Sequence, residues 1–304
     1  MTNEAFREHA GTRGVLHPGK LLWLRAVAWM LLLFVLLTLT PLAVEMAARA
    51  AGGEPELSPG LLRACLVSAA AVAVYVGAVR LGERRWPGEL DPGRLPELAA
   101  GLVLGAAMFS AVMGALVGFD WYDLERAGPA DPSRALAVSI QAGVVEELLL
   151  RAIVFRLLAR AFNIWWALGI SAALFGALHL GNDNATLFSA FAIAVEAGVM
   201  LAAFYLWTGR IWLSIGVHVA WNFFQGYVYG AAVSGLDLGA SLMEATPDLA
   251  DSIYLTGGPF GPEAGLVAPV AMAAGVGLIA LRVRRRTGKL NLHLPLAESP
   301  SVRR

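Results

Sequence analysis

The chain has 304 residues, 23 basic and 23 acidic side chains, and a formal net charge of zero. Hydrophobic residues make up 58% of it, charged residues only 15%, and mean hydropathy is +0.63. An average soluble domain is about 25% charged, so the composition excludes an ordinary soluble globule. The absence of excess positive charge gives no support to a nucleic-acid partner. The single cysteine, Cys65, excludes an intramolecular disulfide and any Cys-rich metal site.

In chain order, residues 1–20 read as a polar, basic, cytoplasmic tail. The apolar run 21–43 follows and is long enough to cross ~30 Å of hydrocarbon at 1.5 Å per residue. A signal peptide has an apolar core of only ~7–15 residues, so this run is expected to stay as a helix. Further apolar runs occupy 61–80, 97–119, 135–158, 163–181, 185–207, 210–231 and 264–282, separated by breakers such as Trp86-Pro87-Gly88 and Gly128-Pro129. The expected fold class is an all-α, polytopic transmembrane bundle of about eight helices. A single transmembrane domain covers 21–283, and a basic cytoplasmic tail covers 284–304.

The basic residues fit this alternation. With the N-terminus in the cytoplasm, the opposite side receives only Arg49, Arg63, Arg126 and Arg134, and Arg151 falls inside the membrane. That bias follows the positive-inside rule and an even number of spans, with both termini cytoplasmic. The stretch 232–263 is acidic without Lys or Arg and reads as an outside loop. Arg282 to Arg286 read as a topology anchor, and Trp165, Trp166 and Trp207 as belt residues at helix ends. Asn182-Asp183-Asn184 reads as a tight outside turn.

Chemistry concentrates in the run 135–158. Glu146, Glu147 and Arg151 lie within six residues of one another, where a central charge costs at least ~2.5–3.5 kcal/mol on insertion scales. Glu147 and Arg151 are i,i+4 on one helix face and can pair. Glu146 points about 100° away and is left free to face something else. Two of the five histidines, His179 and His218, also fall inside apolar runs, and His218 shares a face with Asn222 at i,i+4. Gly143, Gly176 and Gly216 beside them could let the helices approach closely. A carboxylate, two imidazoles and an amide suit hydrolysis by an activated water, with the carboxylate as general base and the donors facing an oxyanion. No serine sits in a nucleophile elbow, so a covalent route is not expected. Glu196 lies alone in the run 185–207, without a motif to give it a role.

The motifs Glu146-Glu147-x-x-x-Arg151, Phe175-x-x-x-His179 and His218-x-x-x-Asn222, in this order on successive apolar segments, resemble the CAAX protease and bacteriocin-processing (CPBP, or Abi) family of intramembrane proteases. Stretches 221–226 and 256–263 are also similar to bacterial members. The similarity centres on 135–231. It implies endopeptidase hydrolysis of a membrane-embedded or lipidated protein or peptide in a bacterial cytoplasmic membrane. By motif position Glu146 and His179 would activate water and His218 and Asn222 would bind the oxyanion. Glu147, Arg151 and Phe175 would support the site. The resemblance leaves zinc open, with Glu146, His179 and His218 as the possible ligands. Without His-Glu-x-x-His a metal-independent reaction is expected. A proton-coupled transporter and a non-catalytic scaffold are the competing readings, but the inverted repeats of a transporter are not evident. Counting residues along the helices places the site at mid-depth, leaning outward, with water entering from the extracytoplasmic side.

Overall fold

The computed structural model describes residues 11–52, 60–248 and 252–287. Eight long helices occupy the eight apolar runs: α1 (Leu22–Ala50), α2 (Leu61–Glu83), α3 (Pro96–Gly118), α4 (133–161), α5 (Ile164–Gly181), α6 (Leu187–Thr208), α7 (212–228) and α8 (Val267–Thr287). Five of these, α1, α2, α3, α5 and α6, are long and apolar enough to cross a membrane. Helix α4 carries Glu146, Glu147, Arg151, Arg156 and Arg160, and α7 is short, so neither passes a test of length and apolarity. Both are nevertheless interior. The most apolar window of α6 is 61% buried, against 17% for α1, whose Leu31, Leu32, Val35 and Met46 face outward. Helices α4, α6 and α7 therefore form the centre, and α1 presents its apolar side to lipid.

Proximity of α7 to α3 follows from small residues. A Cβ on Gly101 would lie 2.5 Å from the Leu213 carbonyl oxygen, and one on Gly216 would run into the Leu98 carbonyl oxygen and lie 2.8 Å from Gly101 Cα. Gly101 and Gly105 form a Gly-x-x-x-Gly face, the pattern that lets membrane helices touch backbone to backbone. Gly143 likewise admits Val219 of α7 to α4, and Gly176 and Gly198 seat α5 on α6. Leu148, Ile153, Phe155, Tyr75 and Tyr205 fill the space between α2, α4 and α6.

The two ends of the bundle differ. At one end Arg156 of α4 makes a two-pronged pair with Glu83 of α2 (2.9 and 2.7 Å), to which Arg85 (2.7 Å) and Trp29 Nε1 (2.9 Å) also donate. Arg85 bridges on to Glu89 at 2.7 and 2.8 Å, and Glu89 accepts from the Tyr75 hydroxyl. Arg160 donates to Gly11 O, and Arg210 pairs with Glu97. Of the arginines expected on the cytoplasmic side, Arg156, Arg160 and Arg210 are thus internal, the first and last held by acids of neighbouring elements and Arg160 by a backbone carbonyl, whereas Arg13, Arg80, Arg84 and Arg94 are exposed. The polar tail also differs from expectation: Leu16 is fully buried and Arg25 donates to Val15 O. Arg285 lies over Trp207 at 5.4 Å. The side chains of Arg282 and Arg286, and residues 288–304, fall outside the described part.

At the other end the described parts of the loop 232–263, expected outside, are structured. Tyr122–Arg126 (β1) pairs antiparallel with Met243–Pro247 (β2), Leu124 opposite Ala245. The Tyr122 hydroxyl donates to Thr256 O, and Arg134 Nη2 to Asp237 O. The Asn182–Asn184 turn is also an anchor, since Asn182 Nδ2 donates to Ser234 O at 2.8 Å. No periodic pattern announced the two short strands, because each has only five residues and pairs across more than 110 residues of chain.

Candidate functional site

Glu146 and Glu147 sit where the regular α-helix of α4 ends at Glu147 and gives way to a π-helical stretch, Leu148–Phe155. Such wide turns occur often at functional sites. Here the widened turn carries Arg151. Arg151 Nη1 lies 3.1 Å from Glu147 Oε1, and Nη2 donates to Ala197 O of α6 at 2.6 Å. The guanidinium also stacks 4.8 Å from the Phe175 ring centre of α5. Glu147 and Arg151 are almost completely buried.

Glu147 does more than pair with Arg151. Its Oε1 also lies 3.0 Å from His218 Nδ1. A carboxylate oxygen can only accept, so this contact places a proton on Nδ1 and turns Nε2 toward the cavity. Nε2 is then 3.9 Å from Glu146 Oε2, too far for a direct hydrogen bond. His179 is fixed in a parallel way. Its Nδ1 lies 2.8 Å from Phe175 O, a carbonyl that also only accepts, so Nδ1 carries the proton and Nε2 is left as an acceptor. The Phe175 ring packs on both imidazoles, 4.8 Å from His179 and 6.2 Å from His218.

Glu146, His179, His218 and Asn222 line one cavity of about 390 Å³, with Phe175 in the wall. Glu147 and Arg151 stand behind it. The three motifs therefore meet, each from a different helix. The lining continues to Gly60, Asn182, Ser234 and Leu236, which belong to the hairpin end of the bundle. This is the end away from the arginine network. Two further carboxyls reach the same cavity, Glu196 of α6 and Glu263 of the loop before α8. The first was visible as an acid in an apolar run. The second lay in a loop, where an acid attracts no notice.

Among the described residues no group of three or more His, Cys, Asp or Glu side chains is close enough to hold a metal ion. The possible zinc set Glu146, His179 and His218 therefore does not form a ligand cage in this arrangement.

Residues 129–224 match the model of the family described as type II CAAX prenyl endopeptidase Rce1-like. The match includes all three motifs and agrees with a CPBP-family membrane protease. No curated protein and no solved structure matches the chain.

Proposed function

We propose that this membrane protein is an intramembrane endopeptidase in which Glu146 activates a water against a peptide bond of a membrane-embedded or lipidated substrate. The observation that carries the reading is the convergence of Glu146, His179, His218 and Asn222 on one cavity.

The chain's own groups divide the work by tautomer. Water bound to Glu146 gives up a proton to that carboxylate, and the acceptor Nε2 of His179 takes a hydrogen bond from the same water. The resulting oxygen attacks the carbonyl carbon. Negative charge develops on the carbonyl oxygen, where the Asn222 amide donates, together with His218 Nε2–H in its protonated form. Glu147 faces Nδ1 of His218, Glu146 lies 3.9 Å from its Nε2, and Arg151 pairs with Glu147, so the imidazole is set between two carboxylates. Glu146 then returns its proton to the leaving amine. Removing one such oxyanion donor costs about 10²–10³ in kcat. The cavity belongs to the extracytoplasmic half of a bacterial cytoplasmic membrane, with both termini cytoplasmic.

The test in cells is comparison of membrane-protein C-termini between wild type and Glu146→Ala. The reading expects at least one protein whose terminus is longer in the variant. Identical termini throughout, with both proteins present at equal level, contradict it.

A further inference from the structure

Two carboxyl groups in the cavity have no part in the reaction above. Glu196 is 2% exposed, and its Oε2 has no hydrogen-bond partner. It sits on the π-helical turn Ala194–Val199 of α6. Glu263 is 3% exposed and accepts from neutral donors, among them Gln225 Nε2 and the backbone N–H of Ser234. Among the described residues neither carboxyl has a cation within ion-pair distance. Arg151, which reaches the residue next to Glu196, is committed to Glu147 and to Ala197 O.

A buried acceptor without a donor is costly, and native chains rarely leave one unexplained. Relaxation does not easily remove this one. The next residue, Ala197, is tied by its carbonyl to Arg151, and Gly198 is packed so closely on α5 that a Cβ there would meet Ala172 Cα at 2.8 Å. Glu196 is therefore held at the wall of a cavity large enough to admit a peptide segment. Ile193, Met200 and Leu201 contribute apolar surface to the same wall. This combination suits a group with an apolar stem and a cationic head, whose charge gains strongly from a carboxylate in a low-dielectric setting. A metal ion fits less well, because the surrounding side chains supply too few donors at coordinating spacing.

We infer that Glu196 and Glu263 form a cation-accepting subsite that takes a Lys or Arg side chain of the peptide cleaved at Glu146. The inference rests on the proteolytic reading and adds a sequence preference to it: substrates carry a basic residue within a few positions of the scissile bond.

The test uses purified full-length protein in detergent and fluorogenic hydrophobic peptides that differ at one position beside the scissile bond, lysine against the uncharged isostere norleucine. That position is scanned on both sides. Both kcat/KM for cleavage and Kd for binding are measured, with wild type and with Glu196→Gln. The expected result is a preference for lysine at one position of about tenfold or more, as for one charge-assisted hydrogen bond. The preference falls to near unity in Glu196→Gln. Equal kcat/KM and equal Kd for both peptides at every position overturn the subsite, and so does a preference that Glu196→Gln leaves intact. Failure of the proteolytic reading has a different signature: no peptide is cut, and the Kd values alone then decide the subsite. The ratio within one protein is insensitive to how much of a variant folds.

Discussion

Arg151 is the position at which stability and activity can be separated most sharply. Glu147 is fully buried, and its charged contacts are Arg151 at 3.1 Å and His218 at 3.0 Å. In Arg151→Met the guanidinium is replaced by a shorter apolar chain, and Glu147 keeps only the imidazole. Removing one member of a buried ion pair costs ~3–5 kcal/mol. The surviving His218 contact places the expected loss near the lower figure, about 3 kcal/mol. In Glu147→Gln/Arg151→Met no buried charge is stranded, and replacing both partners is often close to neutral. Most of the stability should therefore return in the double variant, to within about 1 kcal/mol of wild type. Activity should not return, because His218 has lost the carboxylate that orients it. Reversible denaturant unfolding in mixed micelles gives the stabilities, and peptide cleavage gives the activities. A loss under ~1 kcal/mol in Arg151→Met would show that the pair is solvated. A double variant as active as wild type would show that Glu147 does not position His218.

Four other outcomes follow from the same structure. Gly216→Ala puts a methyl group against the Leu98 carbonyl and Gly101 Cα, forcing α7 off α3; overpacking of this kind costs ~1–3 kcal/mol, and a shift of ~1 Å at His218, two residues on, should lower kcat up to about 10²-fold in a cleavage assay. Burial raises the Glu263 carboxyl from its usual 4.5 to about 7, against the opposing effect of its hydrogen bonds. A raised folded-state pKa contributes stability that is complete below the unfolded value and lost as pH rises through the folded one, so from pH 4.5 to 8 wild type should lose on the order of 3 kcal/mol more than Glu263→Gln, read from unfolding midpoints; equal slopes would refute it. On a Cys65→Ala background, Leu236→Cys should react with a membrane-impermeant thiol reagent added outside intact cells, and Leu81→Cys, at the arginine end, only after the cells are opened; the reverse pattern inverts the topology. Prolonged treatment with a strong chelator should leave cleavage unchanged, whereas loss that zinc restores would require a metal.

Much of this architecture could be read from the chain. Apolar runs of about twenty residues have one economical conformation in hydrocarbon, so the helices were legible from composition alone. Motif residues were legible because ionisable groups in such runs are costly. What was hidden depends on contacts between distant segments. Arg156 reads as a surface cation until Glu83, 73 residues earlier, is brought against it. Glu147 reads as a partner for Arg151 alone, because helix spacing shows i,i+4 neighbours and says nothing of His218 on another helix. The π-helical turns at 148–155 and 194–199 leave no mark in a hydropathy pattern, yet one places Arg151 and the other Glu196. Gly101 and Gly105 were in plain view, but their use is clear only with α7 beside them.

The central claim is that Glu146 is the base for peptide-bond hydrolysis in this cavity, and purified protein in lipid vesicles tests it most directly. Wild type, Glu146→Gln and Cys65→Ala are compared for cleavage of a prenylated or hydrophobic fluorogenic peptide, with product masses recorded and folding checked by unfolding midpoint. The account predicts cleavage at one bond by wild type and by Cys65→Ala. It predicts a fall of about 10³-fold or more in Glu146→Gln, a loss in the range expected of general-base catalysis, at an unchanged midpoint. Comparable turnover by folded Glu146→Gln would contradict it.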